Sequence, residues 1–319
     1  LTPINMELEA AEVTRGLPYE KVDVDDDAYF DGRIAAKSIE DLRELKELEA
    51  PFFLAVGFKK PHLPFNAPAR YWDLYSPEDI RLANNPFAPE GAPAEAMHRF
   101  GELRRYAGIP AEGPVGDMMA RDLVHGYYAC VSYVDAQIGR VLDELDRLDL
   151  RNSTVVILWG DHGWHLGEHG LWCKHCNFEK VMRVPMILSA PGFPQATVSE
   201  SLVESVDIYP TLAELAGLPA PEHLQGKSLV PLLEKPETSF KEAAFSRWFD
   251  GETVITERYI YTEWLDQDRK TYARMLYDLQ SDPGENRNVS ELTENRSQVE
   301  HLSRKLEENY VAANEPTTL

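Results

Sequence analysis

The densest chemistry in the sequence lies in residues 159–178, WGDHGWHLGEHGLWCKHCNF. Asp161 and His162 stand side by side and could offer an oxygen and a nitrogen to a metal ion. Glycines at 160, 163, 167 and 170 leave the backbone free to wrap closely around a ligand. An isolated Asp-His pair reads more readily as a turn cap beside a packed loop histidine. Here, however, ionisable and aromatic residues are concentrated directly after an apolar run, where α/β sheets present their sites. His162, His165, His169, Cys173, His175 and Cys176 also raise the question of zinc, with a C-x-x-C at its centre. Structural zinc favours two separated half-sites, whereas this run is unbroken and contains Lys174. A redox dithiol would need thioredoxin-like surroundings, which are absent. Two small buried thiols that bind no zinc are the expectation.

A second constellation, Lys59, Lys60 and His62 among Pro61 and Pro64, follows another apolar run. It reads either as an anion pocket or as a solvated lysine pair beside a packed histidine. Asp23, Asp25, Asp26 and Asp27 suggest a calcium loop, but Ala28 and Ile34 occupy the glycine and twelfth positions of the EF-hand template. A solvated acidic loop is expected.

Elements must carry these groups. Ala35, Ile39, Leu42 and Leu45 predict an amphipathic helix over 31–49, broken by Pro51. Residues 52–58, 154–159 and 185–190 read as buried strands. Residues 60–115 read as a long decorated loop, a length that usually marks function. A helix over 117–148 carries a stripe of Leu123, Tyr127, Val131, Val134, Ile138, Val141 and Leu145. Another covers 205–217 and stops at Gly217. Beyond about residue 235 the texture changes. Residues 253–264 and 276–279 read as antiparallel strands and 293–313 as a final helix burying Val299, Leu302, Leu306 and Tyr310. The expected division is 1–235, an α/β domain, and 236–319, a smaller α+β subdomain.

The 319 residues carry 32 basic and 54 acidic side chains, a net charge of −22. Such a surface repels nucleic acid and anionic lipid, so neither is an expected partner, and an anionic substrate needs a local basic pocket. No apolar run approaches the roughly 20 residues that span a bilayer. Leu1, Thr2, Pro3 and Ile4 do not open a signal peptide. Asn152 and Asn288 begin glycosylation sequons.

Several stretches together resemble the sulfatases of the alkaline phosphatase-like superfamily, most of all the iduronate-2-sulfatase branch. They are PFFLAVGFKKPHLPF at 51–65, the Ser-Tyr-Val-Asp core within 128–142, 161–185, DIYPTL at 207–212, LQGKSL at 224–229 and LYDL at 276–279. The resemblance implies an α/β sandwich with a central, mostly parallel sheet and a C-terminal α+β subdomain. It implies hydrolysis of sulfate esters, with 2-O-sulfated uronate residues of glycosaminoglycan-like polysaccharides as substrate. Phosphodiester or phosphonate monoester hydrolysis is the alternative on the same scaffold.

By the resemblance, Asp161 and His162 are ligands of a divalent cation, normally calcium, for which histidine is an unusual partner. Lys174 binds the sulfate, His62 helps the leaving oxygen depart, and Trp164 lines the substrate pocket. One departure is large. The family's nucleophile is a formylglycine made from C/S-x-P-S-R, and no such motif occurs here. The paired aspartates that complete the metal site are missing too. The expectation is the C-terminal two-thirds of a sulfatase, with the formylglycine on a missing N-terminal segment. Alone, such a chain is expected to be inactive, a fragment or a carbohydrate-binding remnant. The family implies a periplasmic, extracellular or lysosomal location.

Overall fold

The computed structural model describes residues 15–314; the reading of residues 1–4 falls outside them. The chain divides into two compact units.

The first unit comprises residues up to 84, 99–153 and 166–173. Strand β1 (Tyr19–Val22) pairs in parallel with β2 (Phe65–Pro68), Tyr19 opposite Phe65. Helix α1 (Phe30–Glu47) packs on the long helix α2 (Asp117–Arg147). Both form where the apolar spacing predicts. On α1 the buried positions are Asp31, Gly32, Ala35, Ser38 and Leu42, one face of a 3.6-residue repeat. On α2 the buried face is rotated from the expected stripe. It runs through Leu123, Gly126, Cys130, Tyr133 and Gln137, while Val131 is exposed. The rotation follows from what α2 meets. At Gly126 an added Cβ would stand 2.8 Å from the Trp72 ring and 2.9 Å from Phe65, so β2 approaches through a gap only glycine leaves. Tyr133 then locks α2 to the turn before α1, its hydroxyl donating to the Asp26 carbonyl at 2.9 Å and accepting from the Gly32 N–H at 2.6 Å.

The second unit comprises 85–98, 154–165 and everything from 174. Strand β3 (Val156–Trp159) pairs antiparallel with β4 (Met186–Ser189). Helix α3 (Ile208–Leu215) ends at Gly217, φ 66°. The N–H groups of Gly217 and Leu218 close back on the carbonyls of Glu214 and Ala213, a Schellman cap. Strands β5 (Ala244–Trp248), β6 (Gly251–Ile255), β7 (Tyr259–Leu265) and β8 (Thr271–Asp278) make an antiparallel meander. Helix α4 (Arg296–Asn314) covers it, Val299, Leu302 and Leu306 packing on Val254, Tyr261 and Leu276.

Three expectations are corrected. Residues 52–58 form no strand; every second residue is exposed, and Phe53 is 80% exposed. An apolar run becomes a buried strand only when neighbours pair with its backbone, and none does so among the described residues. The strands at 156–159 and 186–189 do form, but antiparallel to each other and only half-buried, with Trp159 and Ile187 exposed. The acidic run is not merely solvated: Asp26 pairs with Arg70, and Asp27 with Arg140 at 2.9 Å.

Candidate active site

The loop after β3 is pinned before it does any chemistry. The Gly160 N–H donates to the Pro185 carbonyl at 3.1 Å, extending the β3–β4 pairing. The Gly163 and Trp164 N–H groups donate to the carbonyls of Val181 and Lys180 at 2.7 and 3.0 Å. A Cβ on Gly163 would lie 2.0 Å from the Lys180 carbonyl oxygen, so the glycine of D-H-G-W is a steric requirement.

This pinning leaves two donor groups facing the same space. The Asp161 carboxylate is 85% exposed and accepts the His162 N–H at 2.9 Å. His162 Nδ1 lies 3.0 Å from the Gly163 carbonyl. A carbonyl only accepts, so Nδ1 carries the proton and Nε2 presents its lone pair. That Nε2 sits 3.6 Å from Asp161 Oδ2. A backbone carbonyl fixing the far nitrogen is the usual support of a metal-bound histidine. The pair therefore fits a cation as two of its ligands. Among the described residues no group of three or more His, Cys, Asp or Glu is arranged to hold a metal.

Trp164 is buried, its ring 6.1 Å from that of His162. The Lys174 ammonium lies 4.8 Å from the centre of the Trp164 ring, a cation–π contact that holds the charge beside the loop. Asp161, His162, Trp164 and Lys174 thus form one connected group within the second unit.

Cys176, two residues on, lies 3.7 Å from His165 Nδ1. Burial pushes its thiol up to about 12, which keeps it neutral and unreactive. The three cysteines are buried and form no disulfide.

His62 belongs to the first unit. Its Nδ1 lies 2.8 Å from the Leu63 carbonyl and its Nε2 3.0 Å from Glu102 Oε1. Both partners can accept a ring N–H. The approach to His62 is set by the buried Asp31, whose carboxylate accepts the N–H groups of Lys59 and Lys60 at 3.0 and 2.8 Å. The two lysines do not make an anion pocket. Lys59 lies over the Phe30 ring at 4.4 Å, and the Lys60 ammonium donates to the carbonyls of His62 and Pro64. Glu102 is the residue that sequence reasoning missed, and no spacing connects it to His62.

The DIYPTL and LQGKSL stretches prove to be structural. Asp207, fully buried, pairs with the Lys241 ammonium at 2.7 Å and accepts the N–H groups of Glu204 and Lys227, each at 2.8 Å. The Asn288 sequon is occupied structurally as well. Its amide donates to the carbonyls of Gly91 and Arg274 and accepts the Leu276 N–H.

The sulfatase family profile matches residues 5–218, and the profile described as N-sulphoglucosamine sulphohydrolase, C-terminal, matches 167–312. The chain belongs to the sulfatase family. Iduronate 2-sulfatase of Mus musculus is 31% identical over 354 residues, covering 85% of this chain. The chain spans 64% of that relative's length and 43% of the length of the Homo sapiens enzyme, which is 37% identical over 235 residues and 64% of this chain. A protein solved with its substrate D-glucosamine-2-N,6-O-disulfate superposes with a TM-score of 0.77 at 22% identity, over 90% of this chain and 71% of that one. A phosphonate monoester hydrolase of Agrobacterium radiobacter gives 0.74 at 25% identity, over 90% and 62%. The fold is the alkaline phosphatase-like one.

Proposed function

We propose that this chain supplies the sulfate-holding and part of the metal-binding machinery of a sulfuric ester hydrolase. The observation that carries the reading is the connected group of Asp161, His162 and Trp164 on the pinned loop with Lys174 over the Trp164 ring. Asp161 and His162 would be two ligands of a divalent cation, calcium by the family's habit. Bound there, the cation would offset negative charge on the sulfate oxygens. Lys174 would hold the same tetrahedral anion, and Trp164 would wall the pocket. His62, whose Nε2 lies 3.0 Å from Glu102, would turn that nitrogen to the departing alcohol oxygen and donate to it. The attacking group, a formylglycine in the family, has no counterpart motif in these residues.

The substrate proposed is a 2-O-sulfated uronate residue of a glycosaminoglycan-like polysaccharide, supported by the likeness to iduronate 2-sulfatase. The proposed compartment is periplasmic, extracellular or lysosomal. No described helix is long and apolar enough to cross a membrane. The proposed division remains a catalytic portion to residue 235 and a smaller C-terminal subdomain.

The likeness to phosphonate monoester hydrolase favours one second reading, hydrolysis of phosphate or phosphonate esters. Sulfate and phosphate esters differ in charge, so parallel rates on 4-nitrophenyl sulfate and 4-nitrophenyl phosphate with the natural full-length protein separate the two. Faster sulfate turnover is expected. Dominant phosphate turnover would replace the reading, and no turnover of either would favour an inactive remnant.

A further inference from the structure

The tip of the β5–β6 hairpin is built at odds with ordinary turn chemistry. Phe249 and Asp250 join Trp248 to its cross-strand partner Gly251. Tight hairpin loops favour Asn or Gly where the backbone turns left-handed. Here that position, at φ 50°, is held by Phe249, a residue 75% exposed. A bulky apolar residue in this conformation is a genuine outlier and marks a site worth a functional explanation. The ring is not isolated. It meets Trp248 edge to face at 4.8 Å, and Trp248 in turn lies over His175 at 5.0 Å and 39°. His175 is backed by His98 at 6.1 Å, whose imidazole is held down to about 4 by burial and by His175. His175 directly follows Lys174 in the chain.

We propose that Trp248 and Phe249 form a stacking platform for an uncharged sugar ring neighbouring the sulfated residue of a polysaccharide. The proposal rests on the reading of Lys174 as the sulfate-holding group. A pyranose offers an apolar face of C–H bonds and a rim of hydroxyls; an aromatic pair with one exposed face binds the former, and a nearby carboxylate accepts from the latter. Asp250 is exposed at the tip, while the neighbouring Arg247 and the buried Glu252 offset each other at 3.7 Å, so the tip offers a second sulfate or carboxylate no net attraction and the occupant is the neutral residue of the polymer. Arg247 Nε donates to the Phe249 carbonyl at 3.0 Å, which holds the loop in its exposed form.

Calorimetric titration of the natural full-length protein, with its nucleophile disabled by substitution and calcium present, using two probes, tests this. One probe is the methyl glycoside of iduronate 2-sulfate; the other is the same residue extended by one N-acetylhexosamine. The extension is expected to tighten binding roughly three- to tenfold. Trp248→Ala and Phe249→Ala should each erase most of that gain and leave the monosaccharide unchanged. Lys174→Ala should weaken both probes alike and preserve the gain. If Lys174→Ala changes neither probe, the anion reading fails. If the extension adds nothing, or its gain survives Trp248→Ala, the platform is overturned. Phe249→Asn guards against misfolding: it should raise Tm while losing the gain, whereas a lowered Tm with the gain intact would mean that the rings serve packing and would overturn the proposal.

Discussion

At His162 the neighbouring backbone decides which nitrogen is available, and that single hydrogen bond turns a loop histidine into a candidate ligand. The residue types at this point were legible in the sequence because Asp, His, Gly and Trp are consecutive. Glu102 was not legible. It meets His62 across forty residues of irregular chain, and no periodicity records such a pairing. The lysines at 59 and 60 were legible as charge but not as structure, since their partners are backbone carbonyls and a ring. Glu285 is another group that spacing could not reveal. Only 2% exposed, it accepts the Glu179 N–H at 3.0 Å through one oxygen and has no hydrogen-bond partner on the other. Burial, reinforced by the charges of Glu179 and Asp282 against that of Lys180, raises its carboxyl to about 8 from 4.5. The folded protein therefore keeps a proton that the unfolded chain releases. Its contribution to stability is complete below about pH 4.5 and is lost as pH rises to about 8. Glu285→Gln is expected to flatten the fall in urea midpoint between pH 5 and pH 8 and to stabilise the protein at pH 8. An unchanged slope would refute this.

At the scale of elements, helices were easier to read than strands. Helices α1 and α2 satisfy their own backbones, so a 3.6-residue repeat and a breaking proline define them within a residue or two. Residues 52–58 carry as strong an apolar signal, yet a strand needs another strand, and the signal cannot say whether one is there. The C-terminal meander was legible because each hairpin brings its own partner. Two substitutions probe the joints between elements. Gly163→Ala should displace the β3 loop from residues 180–181, since its Cβ would meet a carbonyl at 2.0 Å. The expected result is a lower Tm together with weaker calcium binding; normal values of both would show that the loop is not held there. Asp207→Ala leaves the buried Lys241 ammonium to Glu204 alone and removes the acceptor of the Glu204 and Lys227 N–H groups. Unsatisfied buried groups of this kind cost about 1–3 kcal/mol each, and denaturant titration should show a loss of about 2–4 kcal/mol. A loss below about 1 kcal/mol would mean that Glu204 or water takes over these contacts.

The molecule as a whole carries a charge of −22, and its repulsion opposes compactness. Raising NaCl from about 20 to about 300 mM shortens the screening length from roughly 20 to 6 Å. A Tm higher by a few degrees is expected, and a flat or falling Tm would show that the acidic groups are individually compensated. Against that background the small cationic site at Lys174 is the feature on which the functional account stands. The decisive measurement is kcat/KM for 4-nitrophenyl sulfate in the natural full-length protein, compared with its Lys174→Ala variant. Loss of one positioned electrostatic donor should lower it by about 2–4 kcal/mol, roughly thirty- to a thousandfold, with Tm unchanged. A variant that hydrolyses the sulfate as fast as the parent would contradict the assignment of Lys174 as the residue that holds the sulfate.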